Sequence, residues 1–325
     1  MTKYGKKVRN FGRRFSYNDL MNTNEAWFVP EALLNTFWLR LLALASLLVA
    51  LTYSAQAASI TFKVLETFDY PGAKSTWPAG INDANDVAGQ FSPGTVHYGG
   101  FIRFHDGSFS DPIYDPNDTR QATYLTGINN FGDTCGNYAG GGLVEFAFVR
   151  SADGTFTPFS AGPLNTYMGG INDAGNLCGE TNGQGWVSID GTVTTFLVPR
   201  SRHTDANGMN NLNQCIGSYD VISGYHGFLR NADGTLVDHI DASDAITTFL
   251  YGINDRGQMV GIKTDATGTH GVLFAARTNA SFDYPGATFT RFDGINSHRI
   301  IVGDYIDAAG FQHGFLVQAK VTNTE

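Results

Sequence analysis

The sequence predicts an all-β protein, a six-bladed β-propeller with four antiparallel strands in each blade. Three observations lead to this prediction. The 325 residues include 39 glycines and 24 phenylalanines, but only 16% are charged, which is typical of short strands joined by tight turns. A segment of roughly 43 residues recurs six times along the chain. Each copy divides into four short strand-like segments, the pattern of a propeller blade.

Aligned residues define the repeat. A Gly-apolar-Asn triplet recurs at intervals of 47, 43, 38, 44 and 42 residues. A threonine always stands four residues before the triplet glycine, and a second glycine always stands nine residues after it. No segment has a sustained 3.6-residue apolar period, which excludes helical repeats. The triplets are Gly80-Ile81-Asn82, Gly127-Ile128-Asn129, Gly170-Ile171-Asn172, Gly208-Met209-Asn210, Gly252-Ile253-Asn254 and Gly294-Ile295-Asn296.

Each strand segment follows from its local sequence. The first segment ends in the triplet, and a polar turn then leads to an apolar second segment that contains the second glycine. The triplet asparagines are expected to hydrogen-bond their own backbone in that turn, and the invariant glycines to allow a bulge or a close contact between blades. A glycine-rich loop precedes the third segment. Asp-Gly turns, which favour tight hairpins, lead into the fourth segment in the first four repeats; they begin at Asp106, Asp153, Asp190 and Asp233.

The count of segments predicts how the ring closes. The sixth copy of the third segment ends at Gln318, and only a polar tail follows. The missing fourth segment precedes the first triplet, at Phe62–Tyr70, so the N-terminal strand is expected to pair in the last blade. The hexapeptide FDYPGA fits this prediction, since it occurs at Phe68–Ala73 and again at Phe282–Ala287.

The first 57 residues have the pattern of a secretory signal peptide. A basic segment precedes the apolar run LLALASLLVALTY, and Ala55-Gln56-Ala57 then forms an A-x-A cleavage signal. Cleavage is predicted after Ala57; the alternative is an uncleaved anchor helix. The predicted organisation is a signal peptide at 1–57, a single propeller at 58–320 and a polar tail at 321–325. The protein is therefore expected to be secreted, either extracellular or periplasmic, without a stable membrane anchor after cleavage.

Charge and cysteine content exclude some partners. The formal net charge is −9, and it becomes −13 without residues 1–57, which hold seven basic and three acidic residues. Nucleic acid and anionic membrane surfaces are therefore not expected partners. The three cysteines are an odd number without a C-x-x-C pattern, so free buried thiols are expected rather than a disulfide framework. They are Cys135, Cys178 and Cys215.

Three histidine-glycine segments carry a resemblance to a known family. His226-Gly227-Phe228, His270-Gly271-Val272 and His313-Gly314-Phe315 stand at the same position of successive repeats, downstream of GIND-like and VGxY-like elements. These segments resemble the HAF-repeat proteins, an extracellular bacterial group, over about residues 62–318. The first three repeats depart from the pattern, with Gly99, Phe146 and Gln184 in place of the histidine. The resemblance implies a secreted propeller-like repeat, and it supplies no catalytic residues and no cofactor.

One variable position predicts a ligand site. The residue after each repeat threonine is aromatic in four repeats, aspartate in the fourth and arginine in the sixth. A basic segment precedes the aspartate. Loops between the fourth and first segments and between the second and third segments are expected to surround one mouth of the central channel. The hypothesis places a site there; the alternative is a surface ion pair without a ligand. The predicted residues are Asp205, Arg291, Arg202, His203, Trp77, Tyr124 and Tyr167.

The function predicted from these patterns is a non-catalytic binding module of the cell exterior. Catalytic motifs such as G-x-S-x-G and H-E-x-x-H do not occur. No cofactor and no metal are expected, because the aligned histidines lie in different blades about 10 Å apart and cannot share one zinc ion. An aromatic channel mouth suits a glycan or peptide ligand. The alternatives are an extracellular polymer-degrading hydrolase or lyase and a structural cell-surface component.

Overall fold

The computed structural model describes residues 59–94, 97–140, 144–163, 165–275 and 277–322. The predicted signal peptide at 1–57 lies outside these ranges. The described residues form 23 β-strands and no helix, and hence no helix long and apolar enough to cross a membrane. The strands are β1 Ser59–Phe68, β2 Ser75–Ile81, β3 Val87–Ser92, β4 Gly99–Arg103, β5 Thr123–Ile128, β6 Thr134–Ala139, β7 Glu145–Arg150, β8 Phe156–Phe159, β9 Tyr167–Ile171, β10 Leu177–Thr181, β11 Gln184–Ile189, β12 Thr192–Phe196, β13 His203–Met209, β14 Cys215–Val221, β15 Gly224–Arg230, β16 Leu236–Ile240, β17 Thr247–Ile253, β18 Met259–Asp265, β19 Gly268–Ala275, β20 Thr278–Phe282, β21 Phe289–Ile295, β22 Ile300–Ile306 and β23 Gln312–Thr322.

The strands form a β-propeller with four-stranded antiparallel blades. Four sheets contain four consecutive strands each, namely β5–β8, β9–β12, β13–β16 and β17–β20. The remaining strands form one seven-stranded sheet in the order β21-β22-β23-β2-β3-β4, with β1 paired to β23. One parallel bridge, Ser75 to Gln312, links β2 and β23 in that sheet. The all-β prediction and the four-segment repeat are confirmed.

Strand β1 pairs antiparallel with the last strand. The register runs from Ser59 opposite Thr322 to Phe68 opposite Gly314, with one bulge between Val64 and Glu66. The pairing of an N-terminal strand with the end of the chain is as predicted. Strand β23 continues to Thr322, however, so the first two residues of the expected polar tail belong to a strand, and residues 323–325 lie outside the described residues.

The first repeat departs from four strands. Its fourth segment makes only isolated bridges, from Gly100 to Ile113 and from Arg103 to Phe109. A regular strand was expected here. The register shifts by one residue between the two bridges, and the N–H of Ile102 donates to the side-chain hydroxyl of Ser110 at 3.0 Å instead of to a backbone carbonyl, which interrupts the ladder.

The triplet asparagines act within and between sheets. Each is buried, and each side-chain oxygen accepts backbone N–H bonds from its own turn, as in Ile300 N to Asn296 Oδ1 at 3.0 Å; this part of the prediction is confirmed. Each Nδ2 also donates to the backbone carbonyl of the next triplet asparagine, which was not predicted. These bonds run from Asn82 to Asn129, Asn129 to Asn172, Asn172 to Asn210, Asn210 to Asn254, Asn254 to Asn296 and Asn296 to Asn82.

The repeated threonines and glycines also have specific contacts. Every repeat threonine accepts a backbone N–H from the segment that enters its strand, as in Tyr284 N to Thr290 Oγ1 at 2.9 Å. The second glycine of each repeat faces a carbonyl on the neighbouring strand. A Cβ on Gly217 would lie 1.8 Å from the backbone carbonyl oxygen of Asp205, far inside contact distance. Only glycine fits this position without a shift of the backbone.

The apolar core lies between neighbouring sheets. One buried cluster, for example, joins Cys178 and Val187 to Met209, Cys215 and Phe228 of the following sheet. Another joins the two halves of the seven-stranded sheet through Ile81, Val87, Val302 and Leu316. All three cysteines are buried and free, as predicted.

Candidate functional site

A groove of about 940 Å³ opens between the second and third repeats. The loops around it join fourth to first strands and second to third strands, which is the face on which the sequence analysis expects ligands. We call this cavity the acidic groove. Its lining residues are Val144, Glu145, Phe146, Ala147, Pro158, Phe159, Ser160, Gly162, Pro163, Asn165, Thr166, Tyr167, Glu180, Asn182 and His203.

Aromatic side chains form one wall of the acidic groove. Phe146 is 46% exposed and Tyr167 is 38% exposed, although both lie on strands. The Phe146 ring stacks on Tyr138 with centroids 5.1 Å apart, and Phe159 stacks on the buried Trp186 at the same distance. These contacts hold the phenylalanine rings in place, so the wall is largely preformed.

Two carboxylates and a histidine form the polar end of the groove. His203 Nε2 lies 3.2 Å from Asp205 Oδ1 and 3.6 Å from Glu180 Oε1. Burial raises the pKa of both carboxyl groups, and the imidazole of His203 opposes that shift. One ligand atom from each of the three residues lies within 4.8 Å of the others, so this set could also hold a divalent cation.

The polar end continues into a neighbouring cavity. This smaller cavity of about 360 Å³ shares Tyr167, Glu180 and His203 with the acidic groove and adds Asp205 and Asn207. The second, third and fourth repeats thus each contribute an acid, Glu145, Glu180 and Asp205 respectively, to the two adjoining cavities.

A third acid, Glu145, lines the groove. Tyr124 donates its hydroxyl to Glu145 Oε2 at 3.2 Å. Burial raises the pKa of Glu145, which the tyrosine hydrogen bond opposes, and burial also raises the pKa of Tyr124. The predicted residue Tyr124 therefore positions an acid that lines the groove.

The two arginines of the predicted site do not join Asp205. Arg202 pairs with Asp220 at 2.9 Å and is largely exposed. Arg291 forms ion pairs with Asp293 at 2.7 Å and Asp304 at 2.6 Å. Burial disfavours the charge of Arg291, but the two aspartates outweigh it and raise its pKa. Arg291 is thus neutralised within its own repeat.

Trp77 also lies outside the acidic groove. Its ring lies 5.9 Å from that of Tyr98, in the first repeat. Of the seven predicted residues, the structure brings Tyr167, His203 and Asp205 together, with Tyr124 connected through Glu145. It does not bring Trp77, Arg202 and Arg291 to that cluster.

Sequence reasoning missed several acids of these clusters, although a signal for them exists. Glu180 stands directly opposite Tyr167, and Asp304 directly opposite Arg291, in antiparallel pairs. Both acids occupy the position after the second glycine of the repeat. Cross-strand neighbours interact on one face of a sheet. Aligning the residue after the second glycine with the residue after the repeat threonine would therefore have identified these acids.

Comparisons with known proteins agree with the fold. No protein-family model matches the sequence, and no curated protein matches it. A variant of AofleA from Arthrobotrys oligospora, in which three arginines are replaced by alanine, is similar in structure. The TM-score is 0.51, with 10% identity over 82% of this chain and 90% of that chain. Its low identity limits the likeness to the fold. The chain is therefore a protein with a propeller scaffold.

Two further solved structures are similar at lower scores. A catalytically inactive virginiamycin B lyase from Staphylococcus aureus with quinupristin has a TM-score of 0.48 and 11% identity, over 78% of this chain and 88% of that chain. TolB from Acinetobacter baumannii has a TM-score of 0.44 and 10% identity, over 76% and 56%.

Proposed function

We propose that the chain is a six-bladed propeller closed into a ring, in which β21, β22, β23 and β1 form the sixth blade. Two cyclic sets of contacts support this proposal. The asparagine bonds return from Asn296 to Asn82 at 3.0 Å after six steps. The triplet glycines pack in the same order, and a Cβ on Gly294 would lie 3.2 Å from the Cα of Gly80. On this proposal, the seven-stranded sheet is two adjacent blades joined by one bridge.

We propose that this propeller is an exported, non-catalytic binding module that takes a neutral saccharide in the acidic groove. The observation that carries the proposal is the exposed ring of Tyr167 beside the carboxylates of Glu180 and Asp205. An ionised carboxylate only accepts hydrogen bonds, through two oxygens. Sugar hydroxyl groups donate such bonds, and the C–H face of a sugar ring covers an aromatic side chain.

The charge of the groove selects against other ligands. Glu145, Glu180 and Asp205 place three acids within or beside it, with His203 as the facing base. Anionic polysaccharides and nucleic acid would meet repulsion there. The volume of about 940 Å³ is at the upper end of the range for small-ligand pockets. A short neutral oligosaccharide matches both the size and the charge.

The proposed location is the cell exterior. The support is the leader pattern at residues 1–57 and the resemblance of the repeats to the HAF-repeat proteins. Mass spectrometry of protein recovered from the culture medium or periplasm would test the location. A mature chain that begins at Ala58 is expected, and a full-length chain retained with the cells would contradict it.

A glycan and peptide array followed by calorimetry would test the binding proposal. The expected result is saturable binding of neutral oligosaccharides without turnover. Tyr167→Ala should weaken that binding about tenfold or more, since a lost aromatic contact of about 1.4 kcal/mol corresponds to a factor of ten. Tyr225→Ala is the matched control, because Tyr225 is similarly exposed but stacks on Phe249 outside the groove.

Two outcomes would contradict the binding proposal. If Tyr167→Ala and Tyr225→Ala bound the saccharide equally well, the acidic groove would not be the site. If only basic peptides bound, the acids would act as a charged surface for peptides rather than as acceptors for sugar hydroxyl groups.

One observation favours a second candidate, a glycoside hydrolase. Glu180 and Asp205 each place an oxygen within 4.8 Å of the other, and burial raises the pKa of both, as a general acid requires. That separation is near the ~5–5.5 Å of retaining enzymes. Release of reducing sugar, abolished by Glu180→Gln, would favour the hydrolase. Binding without release would favour the module.

A further inference from the structure

Three sheets carry the same histidine–aspartate pair at the start of their third strand. His226 Nδ1 lies 2.8 Å from Asp241 Oδ2, and His270 Nδ1 lies 2.6 Å from Asp283 Oδ1. In the seven-stranded sheet, His313 Nδ1 lies 3.0 Å from Asp69 Oδ1. The repetition indicates a structural pair that joins the third and fourth strands.

In two of these sheets the histidine lies between two acids. His270 Nε2 faces Asp265 at 3.2 Å, and His313 Nε2 faces Asp307 at 3.5 Å. Both ring nitrogens therefore have carboxylate partners. In these two sheets, both nitrogens of the imidazole thus contact carboxylates of the protein itself.

The sheet of β13–β16 is built differently at this position. Ser223 replaces the second acid, with its Oγ 3.1 Å from His226 Nε2. A second histidine, His239, enters from β16, and its ring centroid lies 4.7 Å from that of His226. Its Nδ1 lies 3.9 Å from Asp241 Oδ2. One oxygen or nitrogen from each of the three residues lies within 4.8 Å of the others.

An irregular backbone brings His239 into this cluster. Its φ is 54°, in the left-handed region that non-glycine residues rarely adopt, and the β15–β16 register shifts between Gly227 and Leu229. The backbone N–H of His239 donates to the Tyr219 hydroxyl at 3.2 Å. Residues held in such conformations concentrate at functional sites.

One oxygen of the cluster has no protein partner. Asp241 Oδ1 is buried and accepts no hydrogen bond among the described residues. A buried carboxylate oxygen without a partner is costly in a folded protein. Both histidines contact the other oxygen, Oδ2, so a cation bound by both oxygens of Asp241 would satisfy Oδ1 as well.

A cavity lies beside the cluster on the side of His239. His239, Ser223, Tyr219 and Asp238 line this space of about 740 Å³, and His226 and Asp241 do not. Zinc sites with three protein ligands keep a fourth position for water or a ligand. Water could reach His239 from this cavity.

We propose that His226, His239 and Asp241 bind a zinc ion. Two imidazoles and one carboxylate are a common zinc ligand set. When Nδ1 of His226 ligates, its Nε2–H donates to Ser223, and such a hydrogen bond fixes the tautomer and the ring orientation. The aligned histidines of different sheets are too far apart to share one zinc ion. The three residues proposed here belong to one sheet, so that distance does not apply to them.

Zinc binding to the full-length protein tests the proposal. After chelation and dialysis, calorimetry with zinc chloride alone should give one ion per chain and a raised Tm. His239→Asn should weaken binding at least a hundredfold, and Asn tolerates the left-handed backbone, so the fold is retained. His270→Asn is the matched control and should bind zinc like the parent. His270 occupies in its own sheet the position that His226 occupies in β13–β16, and that sheet has no second imidazole in the cluster.

Other results would overturn the proposal. Absence of stoichiometric binding would do so, as would equal affinity in the parent and His239→Asn. A third variant, His203→Asn, separates this site from the Glu180–His203–Asp205 cluster. If zinc binding were lost in His203→Asn and kept in His239→Asn, the ion would bind in the acidic groove instead.

Discussion

Replacement of Asn296 by alanine tests the ring of asparagine contacts. The Asn296 side chain makes four hydrogen bonds: Nδ2 donates to Asn82 O at 3.0 Å and to Asn85 Oδ1 at 2.8 Å, and Oδ1 accepts the N–H groups of His298 and Ile300, both at 3.0 Å. Each intramolecular hydrogen bond contributes about 1 kcal/mol net. The expected loss is therefore about 4 kcal/mol, a large part of a typical stability of about 5–15 kcal/mol.

Urea unfolding of three variants would measure this loss. Asn172→Ala is the internal reference, because Asn172 Nδ2 donates to Asn210 O at 3.1 Å and to Asn213 Oδ1 at 2.9 Å in the same pattern. In a closed ring the two variants should lose similar stability. Ser297→Ala, which keeps the backbone N–H bond to Asp83, should stay within about 0.5 kcal/mol of the parent. The two bonds within the turn of Asn296 account for only about 2 kcal/mol of the expected loss. A loss of about 2 kcal/mol or less for Asn296→Ala, beside about 4 kcal/mol for Asn172→Ala, would refute closure between the last and first repeats.

Three further predictions concern packing, thiols and pH. Gly217→Ala should lower stability by about 3 kcal/mol or more in urea unfolding, because its Cβ would overlap a backbone carbonyl, whereas Gly162→Ala meets no atom within 4 Å and should be neutral. The three cysteines are 0% exposed, and burial raises the pKa of Cys135 to about 12, so Ellman's reagent should label no thiol before unfolding; rapid labelling of the native protein would contradict this. Saccharide binding needs Glu180 and Asp205 as acceptors, and burial raises the pKa of both. Calorimetry should therefore show binding falling as the pH drops through these raised values, above the ~4 at which ordinary carboxyl groups protonate. Because burial disfavours the ionised form of these two carboxyl groups, their protonation should stabilise the fold in the same pH range. Saccharide binding that stays unchanged down to pH 4 would contradict the acceptor role.

Much of the fold was predictable because each blade repeats the same local physics. The triplet asparagine must satisfy a polar turn, and the second glycine must sit against a carbonyl, so both recur in every copy. The irregular fourth segment of the first repeat was not predicted, because it depends on a one-residue register shift and on the Ser110 hydroxyl as an acceptor, and neither recurs in the repeat pattern.

The candidate site was predictable only in part. Tyr167, His203 and Asp205 lie on first strands that the repeat alignment identifies, and they meet at one face. Arg291 was predicted as a ligand-site residue, and its ion pair with Asp304 was not foreseen because Asp304 lies on the neighbouring strand. Charge alone does not tell a neutralised arginine from a free one; the strand register does. His239 could not be found from the repeat, since its place in the cluster depends on the register shift between β15 and β16.

The pairing of β1 with β23 also sets an order for assembly. Ser59 lies opposite Thr322, so the first strand of the described chain finds its neighbour only when the last strand has been made. During synthesis, the nascent chain carries β1 with its backbone donors and acceptors free, and such edges can pair with other chains. Contacts over so long a separation also form slowly. A chain terminated before β23 would leave β1 without its partner, so the edge of β1 is protected only after β23 has been synthesised.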